Sequence, residues 1–332
     1  MSTAAPAVRA HRLAVAIPRI PWRPDLPVLH RVDLTAPAGR ATVIVGANGC
    51  GKTTLLRALT GQLRPAAGSI RILGAELGPA DAPLPPDAAI VPDQPAWPPS
   101  WDADQIAGVL KRQQAMRGRD AQAGRARGTD AAPDGDLHGA VAVAARSSTV
   151  PTPLDLALAG RILREHGVPL SRPIGRMSRG QQTWVSIAFA IAMRPRLIIL
   201  DEPLARLDPL GREHVVDLLR EHLAGGDDRS VLMTSHDLDG MDRFADHLVV
   251  MAHGRSILEG DVDDLLDDHV IAAFDERAAA DGVRLLGPRR ISGGGVEALV
   301  RVDDAVGLPP GADLRRPELT ELITHMLREV ES

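Results

Sequence analysis

Residues 46 to 54 read Gly46-Ala47-Asn48-Gly49-Cys50-Gly51-Lys52-Thr53-Thr54, and no other stretch constrains the fold as tightly. Gly46, Gly49 and Gly51 let the backbone curl so that its N–H groups converge on a polyphosphate. The preceding run, residues 41 to 45, is β-branched and apolar and reads as a buried strand. Residues 54 to 63 have the apolar spacing of a helix. Strand, glycine loop and helix in that order are the setting in which such a loop holds phosphate. The helix adds the positive end of its dipole at the same point. Lys52 is placed to reach the outer phosphates and the Thr53 hydroxyl to hold Mg²⁺, while Asn48, Cys50 and Thr54 complete the loop. A nucleoside triphosphate is the expected ligand.

A chain of 332 residues allows one large domain or two moderate ones. Strand-like runs at 12 to 17 and 28 to 34 predict antiparallel strands flanking the loop, with further runs at 69 to 73 and 88 to 91. Helical patterns cover 102 to 116, 154 to 166 and 178 to 193. Strands return at 197 to 200, 230 to 234 and 247 to 251, with a helix over 211 to 223. This alternation predicts an α/β fold with a mainly parallel core sheet. With no tyrosine and three phenylalanines, the core has to be built from Ala, Val, Leu and Ile. The net charge of −5 lacks the basic excess of a general nucleic-acid binder, so no nucleic-acid partner is expected. A single cysteine excludes an intramolecular disulfide and suits a reducing cytoplasm. Residues 1 to 12 lack an apolar stretch of signal-peptide length. No run reaches the about 18 to 20 apolar residues of a membrane span. A membrane role would therefore need another polypeptide to supply the spans.

Two segments stand apart. Residues 117 to 150 are rich in Ala, Gly, Arg and Asp with little periodicity and predict a flexible insertion. The stretch 111 to 127 carries six Lys or Arg against one acid, Asp120, which suits a solvated linker or, alternatively, an anionic-lipid or RNA contact. The second segment is 261 to 332. Its end places Leu319, Leu322, Ile323, Met326, Leu327 and Val330 on one helical face, either packed on a small domain of its own or offered to a partner.

Further motifs narrow the chemistry. Leu197-Ile198-Ile199-Leu200-Asp201-Glu202 is an apolar strand ending in two carboxylates. The strand would set Asp201 beside the phosphate loop to hold the Mg²⁺ shell, and Glu202 where it can polarise the water attacking the terminal phosphate. Met177-Ser178-Arg179-Gly180-Gln181-Gln182 stands just before a helix. Here the chain resembles the ATP-binding-cassette (ABC) ATPases, whose signature at this place usually reads Leu-Ser-Gly-Gly-Gln. Gln94 matches the family's Q-loop, Leu204-Ala205-Arg206-Leu207-Asp208 its D-loop, and His236 in Thr234-Ser235-His236-Asp237 its switch histidine. Trp22 lies where many members stack an aromatic ring on adenine. The resemblance covers roughly residues 7 to 260, with five motifs in the family's order.

The resemblance implies an ABC ATPase core over 1–260, with an antiparallel β-subdomain and a helical subdomain at about 98–193, followed by a small α+β appendage over 261–332. It implies MgATP as the bound species and a second cassette, identical or different, as the partner that completes the site. Ser178 and the N–H of Gly180, with Gln181, would meet the terminal phosphate across that interface, beside Asp208. Gln94 would sense Mg²⁺, and His236 would hold the terminal phosphate and the water. Arg179 and Arg206 depart from the family pattern near the expected interface, either as charge-assisted contacts or as solvated rim residues. The stretch 201 to 260 looks like the ATPase subunits of ABC-2-type exporters, which work on the cytoplasmic face beneath a separate multi-span permease. A soluble ABC ATPase acting on ribosomes or DNA, and a low-turnover nucleotide-gated module, are the other readings.

Overall fold

The structure, a computed structural model, describes residues 5–17, 25–77, 84–85, 87–94, 97–124, 154–237, 240–275, 278, 282–292 and 294–331. Two long strands, β1 (Val8–Ile17) and β2 (Leu26–Ala36), pair antiparallel. After them β3 (Ala41–Val45) leads into α1 (Lys52–Leu59). The chain then returns through β4 (Ala67–Ile72) and β5 (Ala75–Glu76), which extend the first sheet to the order β2-β1-β4-β5. Next come β6 (Ala88–Val91) and three helices, α2 (Ala103–Gly124), α3 (Leu156–Glu165) and α4 (Arg179–Ala192). The core resumes with β7 (Leu197–Asp201), α5 (Pro209–Ala224), β8 (Ser230–Ser235), β9 (His247–Ala252) and β10 (Arg255–Asp261).

The central sheet has the order β10-β9-β3-β8-β7-β6, parallel from β9 to β6 with β10 added antiparallel at the edge. Its parallel strands β3, β6, β7, β8 and β9 are buried at every position and mostly apolar, because both faces are covered, as a parallel sheet requires. Side chains alternate between two layers. Val43, Val45, Ile198, Leu200, Leu248 and Val250 face the helical side, while Ile44, Leu197, Ile199, Leu232, Val249 and Met251 face α1 and the antiparallel sheet. The expected α/β core is thus observed.

One expectation needs correction. Helix α2 continues to Gly124, eight residues past the predicted end at 116 and into the segment read as a flexible insertion. Apolar periodicity fades there, but Gln, Ala and Arg are good helix formers and carry the helix without it. Residues 125 to 150 lie outside the described residues.

After β10 the chain enters α6 (Val262–Asp267), β11 (His269–Asp275), β12 (Leu286–Ile291), β13 (Gly295–Arg301), β14 (Asp313–Arg315) and α7 (Leu319–Glu331). The four strands form an antiparallel sheet in the order β12-β13-β11-β14. Leu319, Leu322, Ile323 and Met326 of α7 are buried, and Leu327 packs against them. The helix rests on β12 and β13 and also touches β9 and the turn at Met241–Arg243. The apolar stripe is therefore consumed within the chain, and one apolar cluster runs from the central sheet into this last unit.

Candidate nucleotide site

The site gathers at the C-terminal ends of β3, β7 and β8, where open parallel sheets place their ligand crevice. Beyond Val45 the backbone turns through residues 46 to 51 into α1. A Cβ at Gly46 would lie 2.3 Å from the Met251 carbonyl oxygen and 2.7 Å from Cys50 Sγ, so only glycine fits. Gly51 takes φ +113, and a Cβ there would come within 2.8 Å of Leu29. No side chain caps α1, so its first-turn N–H groups are available to an anion. The Gly254 N–H donates to the Cys50 carbonyl at 2.9 Å, tying the loop to the β9–β10 turn. Cys50 itself is only 8% exposed, more enclosed than a free loop position would be, and burial pushes its thiol up.

Lys52 is buried, and its Nζ donates to the Gly46 carbonyl at 2.7 Å and lies 3.4 Å from Glu202 Oε1. Glu202 follows β7 in a left-handed conformation, φ +50, which costs a non-glycine residue about 1 to 2 kcal/mol. Strain of this kind collects at functional sites. Two anchors hold it: the Glu202 N–H donates to Thr234 Oγ1 at 3.0 Å, and Oε2 accepts from His236 Nδ1 at 2.6 Å and from the His236 N–H at 3.2 Å. In the tautomer whose Nδ1 donates to the carboxylate, Nε2 is the acceptor. A cavity of about 350 Å³ is bounded by the phosphate loop on one side and by Asp93, Glu202, Arg206 and His236 on the other.

Asp201 ends β7, is 7% exposed, and accepts at Oδ1 from Thr234 Oγ1 at 2.8 Å and Thr53 Oγ1 at 3.4 Å. Burial raises its pKa, and the two hydroxyls pull in the opposite direction. Thr53, Asp201 and Gln94 share the wall of a second cavity of about 180 Å³. Hydroxyl, carboxylate and amide oxygens are hard donors and fit Mg²⁺, which keeps several of its own waters.

The other predicted residues are placed differently. Ser178 caps α4: its Oγ accepts the Gln181 N–H at 3.2 Å, and Gln181 Oε1 accepts the Ser178 N–H at 3.1 Å. Asp208 caps α5 by accepting the Gly211 N–H at 2.8 Å. Ser178, Gly180, Gln181 and Asp208 are not among the residues lining the phosphate-loop cavity. Arg179 is exposed and has no ion-pair partner among the described residues. Arg206, expected as a charge-assisted contact to phosphate or to a second subunit or as a solvated rim residue, lines the phosphate-loop cavity and is paired within the chain: Nη1 donates to the Asp93 carbonyl at 2.5 Å and Nη2 lies 2.8 Å from Asp93 Oδ1. Trp22 lies outside the described residues. Sequence reasoning missed Thr234, whose hydroxyl bridges Asp201 and Glu202. Its position directly before Ser235-His236 at a strand end was the available signal.

Comparison with known proteins agrees with this geometry. Residues 29–205, more than half of the chain, match the ABC transporter family. A nickel import ATP-binding protein of Rhodobacter capsulatus is 31% identical, aligned over 73% of this chain and 86% of that protein. A Nod factor export ATP-binding protein of Sinorhizobium fredii is 30% identical over 74% of this chain and 62% of that protein. Among solved structures, an ATP-binding subunit of an ABC transporter superposes with a TM-score of 0.57 at 23% identity, covering 78% of this chain and 91% of the other.

Proposed function

This chain belongs to the ABC transporter family, and from that premise we propose that it is the hydrolysing subunit of an exporter, docked on the cytoplasmic face of a multi-span membrane partner. It is an ATPase that uses Mg²⁺, and its hydrolysis is coupled to transport through a partner. No described helix is long and apolar enough to cross a membrane, so the proposed partner supplies the spans.

The observation that carries the reading is the convergence of Lys52 and His236 on Glu202 beside the phosphate loop, Lys52 Nζ lying 3.4 Å from Oε1 and His236 Nδ1 2.6 Å from Oε2. Loop N–H groups and Lys52 would bind the phosphates. Glu202 would take the proton of the attacking water, and His236 Nε2 would orient that water against the terminal phosphate. Thr53, Asp201 and Gln94 would hold Mg²⁺, which when bound neutralises charge on the phosphate oxygens. Ser178 spends a lone pair on its cap but keeps its hydroxyl proton, so it remains able to donate to a phosphate. Because Ser178 and Gly180 lie off this chain's own cavity, a second cassette would complete the site.

Export rests on the likeness of residues 201 to 260 to exporter subunits; an importer and an exporter match at 31% and 30% identity. The test has two arms. Glu202→Gln should abolish turnover yet retain ATP and accumulate an ATP-bound dimer, and full turnover in that variant would sink the assignment. Affinity capture of the tagged chain from gently solubilised membranes should recover a stoichiometric multi-span protein, whose reconstitution in vesicles reads direction. Recovery with ribosomal or DNA-bound proteins instead would remove the transport reading.

A further inference from the structure

Arg206 is tied to the loop that precedes Gln94. Its guanidinium makes two contacts with Asp93, one to the backbone carbonyl and one to the carboxylate, and the side chain is only 19% exposed. The two contacts fix both the main chain and the side chain of the residue immediately before Gln94. The backbone of Arg206 passes close to Gly180, where an added Cβ would stand 3.1 Å from the Arg206 carbonyl oxygen. The segment 204 to 207 starts two residues beyond Glu202 and lies against the first turn of α4. One residue therefore links the segment after β7, through its side chain, to the loop after β6, and brings its backbone close to the start of α4. A small residue at this position could reach none of Asp93.

We propose that Arg206 is a positioning residue: through Asp93 it holds Gln94 against Thr53 and Asp201, so that all three Mg²⁺ donors share one wall. This rests on the nucleotide-site reading above and deepens it. A purely electrostatic role makes the opposite prediction. Asp93 is half-exposed and negative, and its charge is felt at Asp201. Removing Arg206 would unmask that charge and strengthen attraction for a cation, whereas loosening Gln94 would weaken it.

The test uses Mn²⁺ in place of Mg²⁺, with electron paramagnetic resonance reporting metal bound to the full chain saturated with a non-hydrolysable ATP analogue. Arg206→Ala should weaken Mn²⁺ about tenfold, Asp93→Asn, which keeps the backbone-carbonyl contact, should weaken it less, and the double variant should be no worse than Arg206→Ala, because both act on one clasp. Arg206→Lys, which keeps the charge but loses the forked geometry, should recover only part of the loss. Tighter Mn²⁺ in Arg206→Ala, unchanged affinity, or strictly additive losses would each overturn the proposal. Far-UV circular dichroism of each variant shows whether it folds, and Arg206→Lys keeps the test decisive where Arg206→Ala does not. A wild-type chain that binds no nucleotide analogue would sink the site reading itself, and this inference with it.

Discussion

Thr234→Val tests whether one hydroxyl holds both carboxylates of the site. Thr234 is fully buried; its Oγ1 accepts the Glu202 N–H at 3.0 Å and donates to Asp201 Oδ1 at 2.8 Å. Valine keeps the shape and removes both bonds. Losing a buried hydrogen bond to a charged acceptor costs about 1.5 to 3 kcal/mol, and an orphaned buried N–H costs about 1 to 3 kcal/mol. The extra methyl returns about 0.8 kcal/mol. The balance is a loss of about 3 kcal/mol, roughly a hundredfold in the folding equilibrium. Urea unfolding should show it as a lower midpoint with an unchanged slope. Turnover should fall further than stability alone explains, because Glu202 sits in a strained conformation that this bond anchors. The KM for ATP should hold, since Lys52 and the loop N–H groups are untouched. Thr234→Ser restores the hydroxyl and should restore most of both quantities. A valine variant within about 0.5 kcal/mol of the parent would refute the reasoning.

Other outcomes follow from burial. The enclosed Cys50 should react with a maleimide more slowly than an exposed cysteine, since the thiolate is the nucleophile and burial disfavours it. MgATP should slow the reaction again by covering the loop, and equal rates by mass spectrometry with and without MgATP would count against the site. His222 is held down at about 4 by burial, with Arg229 adding to it, against a usual 6.5. The folded chain keeps it neutral while the unfolded chain protonates below about 6.5. Its contribution is therefore complete above that pH and is lost as pH falls toward 4, by roughly 3 kcal/mol. His222→Leu should flatten that limb when urea midpoints are measured from pH 7 to 4.

What the sequence disclosed was local, and what it concealed was long-range. The loop between β3 and α1 was legible because glycine spacing, a β-branched strand and a helical pattern all lie within about twenty residues. The carboxylates at the end of β7 were legible for the same reason. Arg206 was not, because its partner Asp93 stands 113 residues away and the cue was only a departure from a family pattern. The reach of α2 beyond residue 116 was hidden because its later turns rely on residue propensity without an apolar stripe. The stripe on α7 was plain in the sequence, but its resting place against β9 and β12 depends on contacts that no spacing encodes. Strands as short as β14, three residues long, carry no period to read.

Ser178 separates two roles that coincide in one residue. Its oxygen closes a capping box with Gln181, and its remaining hydroxyl proton is the one proposed to meet phosphate on a second cassette. Ser178→Ala removes both, at about 1 kcal/mol for the lost cap, so a fall in activity would be ambiguous. Ser178→Asp resolves it. An aspartate caps as well as a serine and suits the positive end of α4, so urea midpoints should move by less than about 0.5 kcal/mol. The same carboxylate donates no proton and repels phosphate, which should reduce turnover at least a hundredfold while leaving ATP binding to the chain's own loop intact. If the stable aspartate variant hydrolysed ATP at the parent rate, Ser178 would be a cap and nothing more, and completion of the site by a second chain would lose its main support.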